Sequence, residues 1–124
     1  MRYCRLYADQ DGESHFEEFE PAYQSIAYAP PAPALDVSSP IDAARYVMVR
    51  FPAGWDSALH PTPQRQLFVM LSGELEGKTS GGAVETFAAG DVVLMEDTTG
   101  KGHTARAMGN SDVTALMVHL ADDD

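Results

Sequence analysis

Gly54-Trp-Asp-Ser-Ala-Leu-His60-Pro-Thr62-Pro-Gln-Arg-Gln66-Leu-Phe-Val-Met-Leu-Ser-Gly73 is the stretch on which the reading of the whole chain turns. Period-two alternation puts His60, Thr62, Gln66, Phe68 and Met70 on one parity. Pro61 and Pro63 cannot donate to a strand ladder, so the regular strand is expected only from Gln66 onward. One face of it then carries polar groups at one end and apolar bulk below. Trp55 stands beside Gly54 where such a face would open, and it either lines the ligand entrance or packs as a rim aromatic.

Outward from this stretch, short β-rich runs are separated by glycine turns. They cover Arg45 to Phe51, Leu67 to Ser72, Val84 to Phe87, Val92 to Met95, His103 to Ala107 and Val113 to Leu120. Many short strands at this spacing, with no long helical period between them, predict an antiparallel sandwich or barrel. Tyr46, Phe68 and the methionines Met48, Met70, Met95 and Met117 are expected in its core, with a methionine-lined pocket as the alternative. Towards the N-terminus, residues 2–8 read as an edge strand, Asp11-Gly12 as a turn and residues 14–20 as the returning strand of a hairpin. The stretch from Ala29 to Pro40 holds four of the chain's eight prolines and is expected to be an extended connector or strap. The expected organisation is one domain over 1–124: N-terminal strands in 1–28, the proline-rich connector in 29–40 and the barrel core in 45–120.

A chain of 124 residues that is 44% hydrophobic can bury a core without disulfides or a structural metal. Its single cysteine, Cys4, rules out an intrachain disulfide and is expected to be inert, in keeping with a reducing compartment. Acidic residues follow from Asp9 before any apolar run, so neither a secretory signal nor a membrane span is expected, and the location read from this is cytoplasmic. The net charge is −11, from 8 Lys+Arg against 19 Asp+Glu. Such a surface repels phosphate backbones and anionic headgroups, which argues against nucleic acid and membrane partners. The acidity of Asp9 to Glu20 and of Asp122-Asp123-Asp124 reads as a solvated surface, with the tail frayed.

A second stretch, Gly90-Asp-Val-Val-Leu-Met-Glu96-Asp-Thr-Thr-Gly100-Lys-Gly-His103-Thr-Ala-Arg-Ala107, places His103, Ala105 and Ala107 on one parity and Thr104, Arg106 and Met108 on the other. Small alanines beneath His103 would leave open volume, and Arg106 would face solvent or a neighbouring subunit. The two stretches together resemble the paired signatures of the cupins. The first family pattern reads Gly, five residues, His, any, His, three or four residues, Glu, six residues, Gly. Here His60 matches the first histidine, while Thr62 and Gln66 replace the second histidine and the glutamate. The second pattern ends in Gly, two residues, His, and the spacing from Gly100 to His103 keeps it. Glu96 stands in place of the family's proline, two extra residues precede Gly100, and Ala107 replaces the final asparagine.

The resemblance spans Gly54 to Ala107, just under half of the chain, and implies an all-β fold, the cupin double-stranded β-helix or jelly-roll barrel, with a pocket between its sheets. Carried over residue by residue, it implies a mononuclear divalent metal (iron, nickel, manganese or zinc) on His60, Gln66 and His103, with Thr62 a doubtful fourth. Glu96 is a carboxylate that could complete the shell. That set is otherwise neutral and leaves the ion's charge uncompensated. Trp55, Thr62, Phe68, Met70 and Glu96 are expected around the pocket, whose occupant is a small organic molecule. Three functions stay open, the first two being a metal site with oxygenase, isomerase or lyase chemistry and a metal-free, non-catalytic binding or sensing barrel. A subunit that mainly mediates assembly is the third. Gln66 reads equally as a hydrogen-bonding amide. His119, in the apolar last strand, reads as a satisfied structural histidine, and His15 as a surface residue of the N-terminal hairpin. Homodimerisation is also implied by the resemblance, with the N-terminal segment as a plausible edge.

Overall fold

The computed structural model describes residues 2–121, so the acidic run Asp122-Asp123-Asp124 lies outside the described residues. The strands are β1 (Tyr3–Ala8), β2 (Ser14–Glu18), β3 (Tyr23–Ile26), β4 (Leu35–Ser38), β5 (Ala43–Phe51), β6 (Gln66–Ser72), β7 (Glu74–Thr79), β8 (Val84–Ala88), β9 (Val92–Met95), β10 (His103–Met108) and β11 (Val113–Leu120). Among the described residues there is no helix, and hence none long and apolar enough to cross a membrane.

Six strands form one sheet in the order β2-β1-β9-β6-β11-β5, and β10-β7-β8 form a second. The segment from Trp55 to His60 extends the smaller sheet by running antiparallel along β10. Ser57 N–H donates to Ala105 O at 2.9 Å, and Ala107 N–H donates to Trp55 O at 2.8 Å. These two sheets give the all-β cupin jelly roll that the strand pattern and the resemblance predict. Between them lie Cys4, Leu6, Phe51, Phe68, Met70, Leu75, Phe87, Val93, Val113 and Ala115, all buried. Burial pushes the Cys4 thiol up to about 11, despite the opposing pull of Arg2, so it stays protonated and inert at neutral pH.

Four features differ from the sequence reading. β1 is not an edge: it lies between β2 and β9, antiparallel to the first and parallel to the second. β7 is an additional strand, hidden in the sequence by its charges and by Gly77. Its inward residues are Leu75, Gly77 and Thr79, and a Cβ at Gly77 would sit 3.3 Å from Phe16 Cζ and 3.4 Å from Phe87 Cε2. The proline-rich connector contains the turn of a separate two-stranded hairpin, β3–β4. Its prolines fall outside the ladder, where they remove no hydrogen bond. Tyr46 and Met48, expected in the core, are 69% and 64% exposed because they project from the outer face of β5.

Candidate ligand-binding site

Backbone pairing builds the polar end of the interior. His60 and His103 donate their backbone N–H groups to each other's carbonyl, both at 2.9 Å. Such a reciprocal antiparallel pair holds both side chains on one face of the sheet. The two imidazoles accordingly stand 4.8 Å apart between ring centroids, inclined at 52°. Gly102 makes this approach possible: its φ is +77°, and a Cβ there would lie 2.0 Å from the backbone of His60.

Each ring has one nitrogen committed to the protein. His60 Nδ1 lies 2.8 Å from Ala58 O, and His103 Nδ1 lies 2.6 Å from Asp97 Oδ2. A carbonyl and a carboxylate only accept, so Nδ1 donates in both rings and Nε2 is the nitrogen left to offer. Asp97 is fully buried, and its other oxygen accepts from Thr62 Oγ1 at 2.7 Å. Thr62 N–H also donates to Asp97 O at 3.0 Å. The chain Thr62–Asp97–His103 is therefore a closed buried network that fixes the His103 ring and its tautomer.

Both rings border a cavity of about 320 Å³ between the sheets. Its far walls are apolar, from Leu6, Phe16, Phe51, Leu75 and Phe87, and Ala105 beneath His103 leaves the space open. Of the residues singled out in the sequence, His60, Thr62, Gln66, His103, Trp55 and Phe68 all line it. Trp55 packs edge-on against Phe51 at 4.9 Å. The Gln66 amide nitrogen reaches Met95 Sδ at 3.7 Å. Met70 shares the inward parity but lies deeper, as a core residue 1% exposed.

Glu96 points the other way, and parity is the reason. Val93 and Met95 face the cavity, so Asp97 continues that face and Glu96 turns outward. Its carboxylate takes hydrogen bonds from Arg5 Nε at 2.5 Å and Arg65 Nε at 2.7 Å. Burial raises the Glu96 carboxyl, but these two guanidinium groups outweigh it and hold the group below its ordinary value. Asp97 was legible by the same alternation but went unnoticed beside Glu96. His119, read from the sequence as a satisfied structural histidine, is partnered but also reaches the site. Its ring borders the cavity while Nδ1 accepts from Arg45 Nε at 3.1 Å, and it follows Ala115 and Met117 on the inward parity of β11. Met95 and Met117 also line the cavity rather than a closed core. His15 lies outside it, paired with Asp9 at 2.7 Å. Arg106 projects outward to Glu76 at 3.0 Å.

The cavity lining offers a divalent ion no uncommitted carboxylate among the described residues. His60, His103 and Gln66 are neutral ligands, and the carboxylate beside them, Asp97, is committed to Thr62 and His103. Among the described residues no three His, Cys, Asp or Glu side chains gather as a metal cluster.

The family model described as Cupin domain matches residues 47–119, more than half of the chain, and the chain belongs to the cupin family. Two cupin domains of known structure are similar in fold. That of Schizosaccharomyces pombe Cnp3 is 16% identical, with 88% of this chain and 73% of that one covered and a TM-score of 0.52. A cupin domain from Bordetella pertussis Tohama I is 13% identical, with 84% and 98% covered and a TM-score of 0.51. No curated protein matches the chain.

Proposed function

We propose that this cupin is a metal-free binding barrel for a small organic molecule with an apolar body and one hydroxyl end that donates to the free imidazole nitrogens. One observation carries the reading: two adjacent imidazoles, each with Nδ1 committed, offer Nε2 at one end of an apolar cavity of about 320 Å³. That volume falls at the small end of ligand pockets, and a few convergent polar groups on an apolar wall are what orient a ligand there. Gln66 and His119 supply further polar contacts from the larger sheet. A reducing, cytoplasmic setting accords with the buried Cys4 thiol.

The experiment pairs metal analysis of tag-free protein with NMR titration of phenol, cyclohexanol and hexanol. Expected are substoichiometric metal and shifts centred on His60, His103 and Ala105. The Ala105→Leu variant, which fills the space under His103, should keep the fold and lose these shifts. A stoichiometric metal that disappears in the His60→Ala, His103→Ala double variant would overturn the reading. It would restore the metal centre, with oxygenase, isomerase or lyase chemistry, that the family motif implies.

A further inference from the structure

The polar end of the cavity is built from two cross-strand pairs, one on each sheet. His60 and His103 form the first, on the smaller sheet. Gln66 and His119 form the second: they are register partners on β6 and β11 of the larger sheet, and both line the same cavity. The two pairs meet at one end because Gln66 is also the partner of Met95, and Asp97, next on that parity, holds the His103 ring. Their hydrogen-bond polarities are opposite, and the protein sets each from behind the ring.

His60 and His103 give their Nδ1 protons to a carbonyl and a carboxylate, so in the neutral rings each Nε2 is a lone pair. At His119 the arrangement is reversed. Arg45 Nε donates to His119 Nδ1 at 3.1 Å, and a guanidinium has no acceptor. Nδ1 of His119 therefore carries no proton, and its Nε2 is the N–H. The Gln66 amide adds a donor on the same side. It is 4% exposed, and among the described residues the hydrogen bond of its side chain runs from Nε2 to the weak acceptor Met95 Sδ at 3.7 Å. An amide nitrogen has two protons, so one is left for a ligand. Free amide atoms in so enclosed a site call for a polar partner.

We propose that the cavity selects a hydroxy-carbonyl compound. Its hydroxyl donates to the His60–His103 pair, and a separate carbonyl oxygen on the same apolar body accepts from His119 Nε2 and the Gln66 amide. This rests on the reading of the cavity as a metal-free binding site and adds the ligand class. His119 then decides specificity, and Arg45 is a positioning residue that fixes its tautomer. A carboxylate satisfies the donors of the larger sheet but brings no proton to the two lone pairs opposite, so it is the wrong end group here. An alcohol without the carbonyl leaves the His119 N–H unpartnered, the kind of loss by which polar sites discriminate.

Binding of 3-hydroxyacetophenone, 3-ethylphenol and acetophenone to the intact chain is compared by NMR titration. The second lacks only the carbonyl oxygen and the third only the hydroxyl. The hydroxyketone should bind at least about fivefold tighter than either, the scale of one hydrogen bond. In His119→Phe the ratio of 3-hydroxyacetophenone to 3-ethylphenol affinity should fall to about one. The nitrogen shifts of the imidazoles in the wild-type chain should show the proton on Nε2 in His119 and on Nδ1 in His60 and His103. Arg45→Met should give His119 a mixture of tautomers and lower the ratio, whereas a mere packing role would leave the tautomer alone. If 3-ethylphenol binds and the carbonyl adds nothing, this proposal falls while the reading of the cavity stands. If none of the three binds, or the hydroxyl adds nothing, both fall. A proton on Nδ1 of His119 in the wild-type chain also overturns the proposal, and that measurement needs no variant to fold.

Discussion

The two faces of the six-stranded sheet make the instructive contrast. On the inner face, Gln66, Phe68 and Met70 of β6 and Ala115, Met117 and His119 of β11 meet a second sheet, and polar groups cluster at one end beside a cavity. On the outer face, Tyr46, Met48, Leu116 and Val118 are more uniformly apolar, yet Tyr46 and Met48 lie largely in water. Apolarity therefore does not decide burial in this sheet; the presence of an opposing layer does. The polar groups inside are tolerated because they are partnered, as a buried polar network must be.

The adjacent pair Asp97 and Glu96, one on each face, gives the sharpest way to break this contrast. Asp97→Ala removes the acceptor of both Thr62 and His103 and should cost about 3–5 kcal/mol in denaturant unfolding, the scale for a broken buried network. A loss below about 1 kcal/mol would mean the network is not buried as described.

Glu96→Gln should cost less, about 1–2 kcal/mol at neutral pH, because the site is part-exposed and both arginines can reach water. Since the Glu96 carboxyl is held below its ordinary value, its stabilisation is fully present above that value. It is lost as pH falls through the lower folded value. Unfolding of wild type and variant across acid pH should therefore converge as pH falls; a constant gap would show that the ion pairs are not responsible.

The smallest effect is expected on the outer face. In dilute, monomeric protein, Tyr46→Ser should shift stability by no more than about 0.5 kcal/mol, as surface changes do. A larger loss under those conditions would show that Tyr46 is buried within its own chain.

Much of the strand pattern was legible because alternation and glycine turns are local properties. β5, β6, β8, β9, β10 and β11 stand close to where the sequence puts them. β7 was missed because its inward residues include Gly77, a gap that makes sense only once Phe16 and Phe87 occupy it. In the site, the motif spacing pointed to His60, Gln66 and His103. Asp97 was available from parity, since Val93, Met95 and Asp97 alternate. His119 needed the pairing of β11 with β6, which sets it opposite Gln66.

By itself, the sequence determined the β character, the family and which side chains share a parity, because these follow from short-range periodicity and motif spacing. Only the tertiary structure decided which parity faces a second layer. It also joined Asp97 to His103 across the buried network and left the outer face of β5 open. Those outcomes depend on strand order and sheet-to-sheet contact between residues far apart in the chain, which no local pattern encodes.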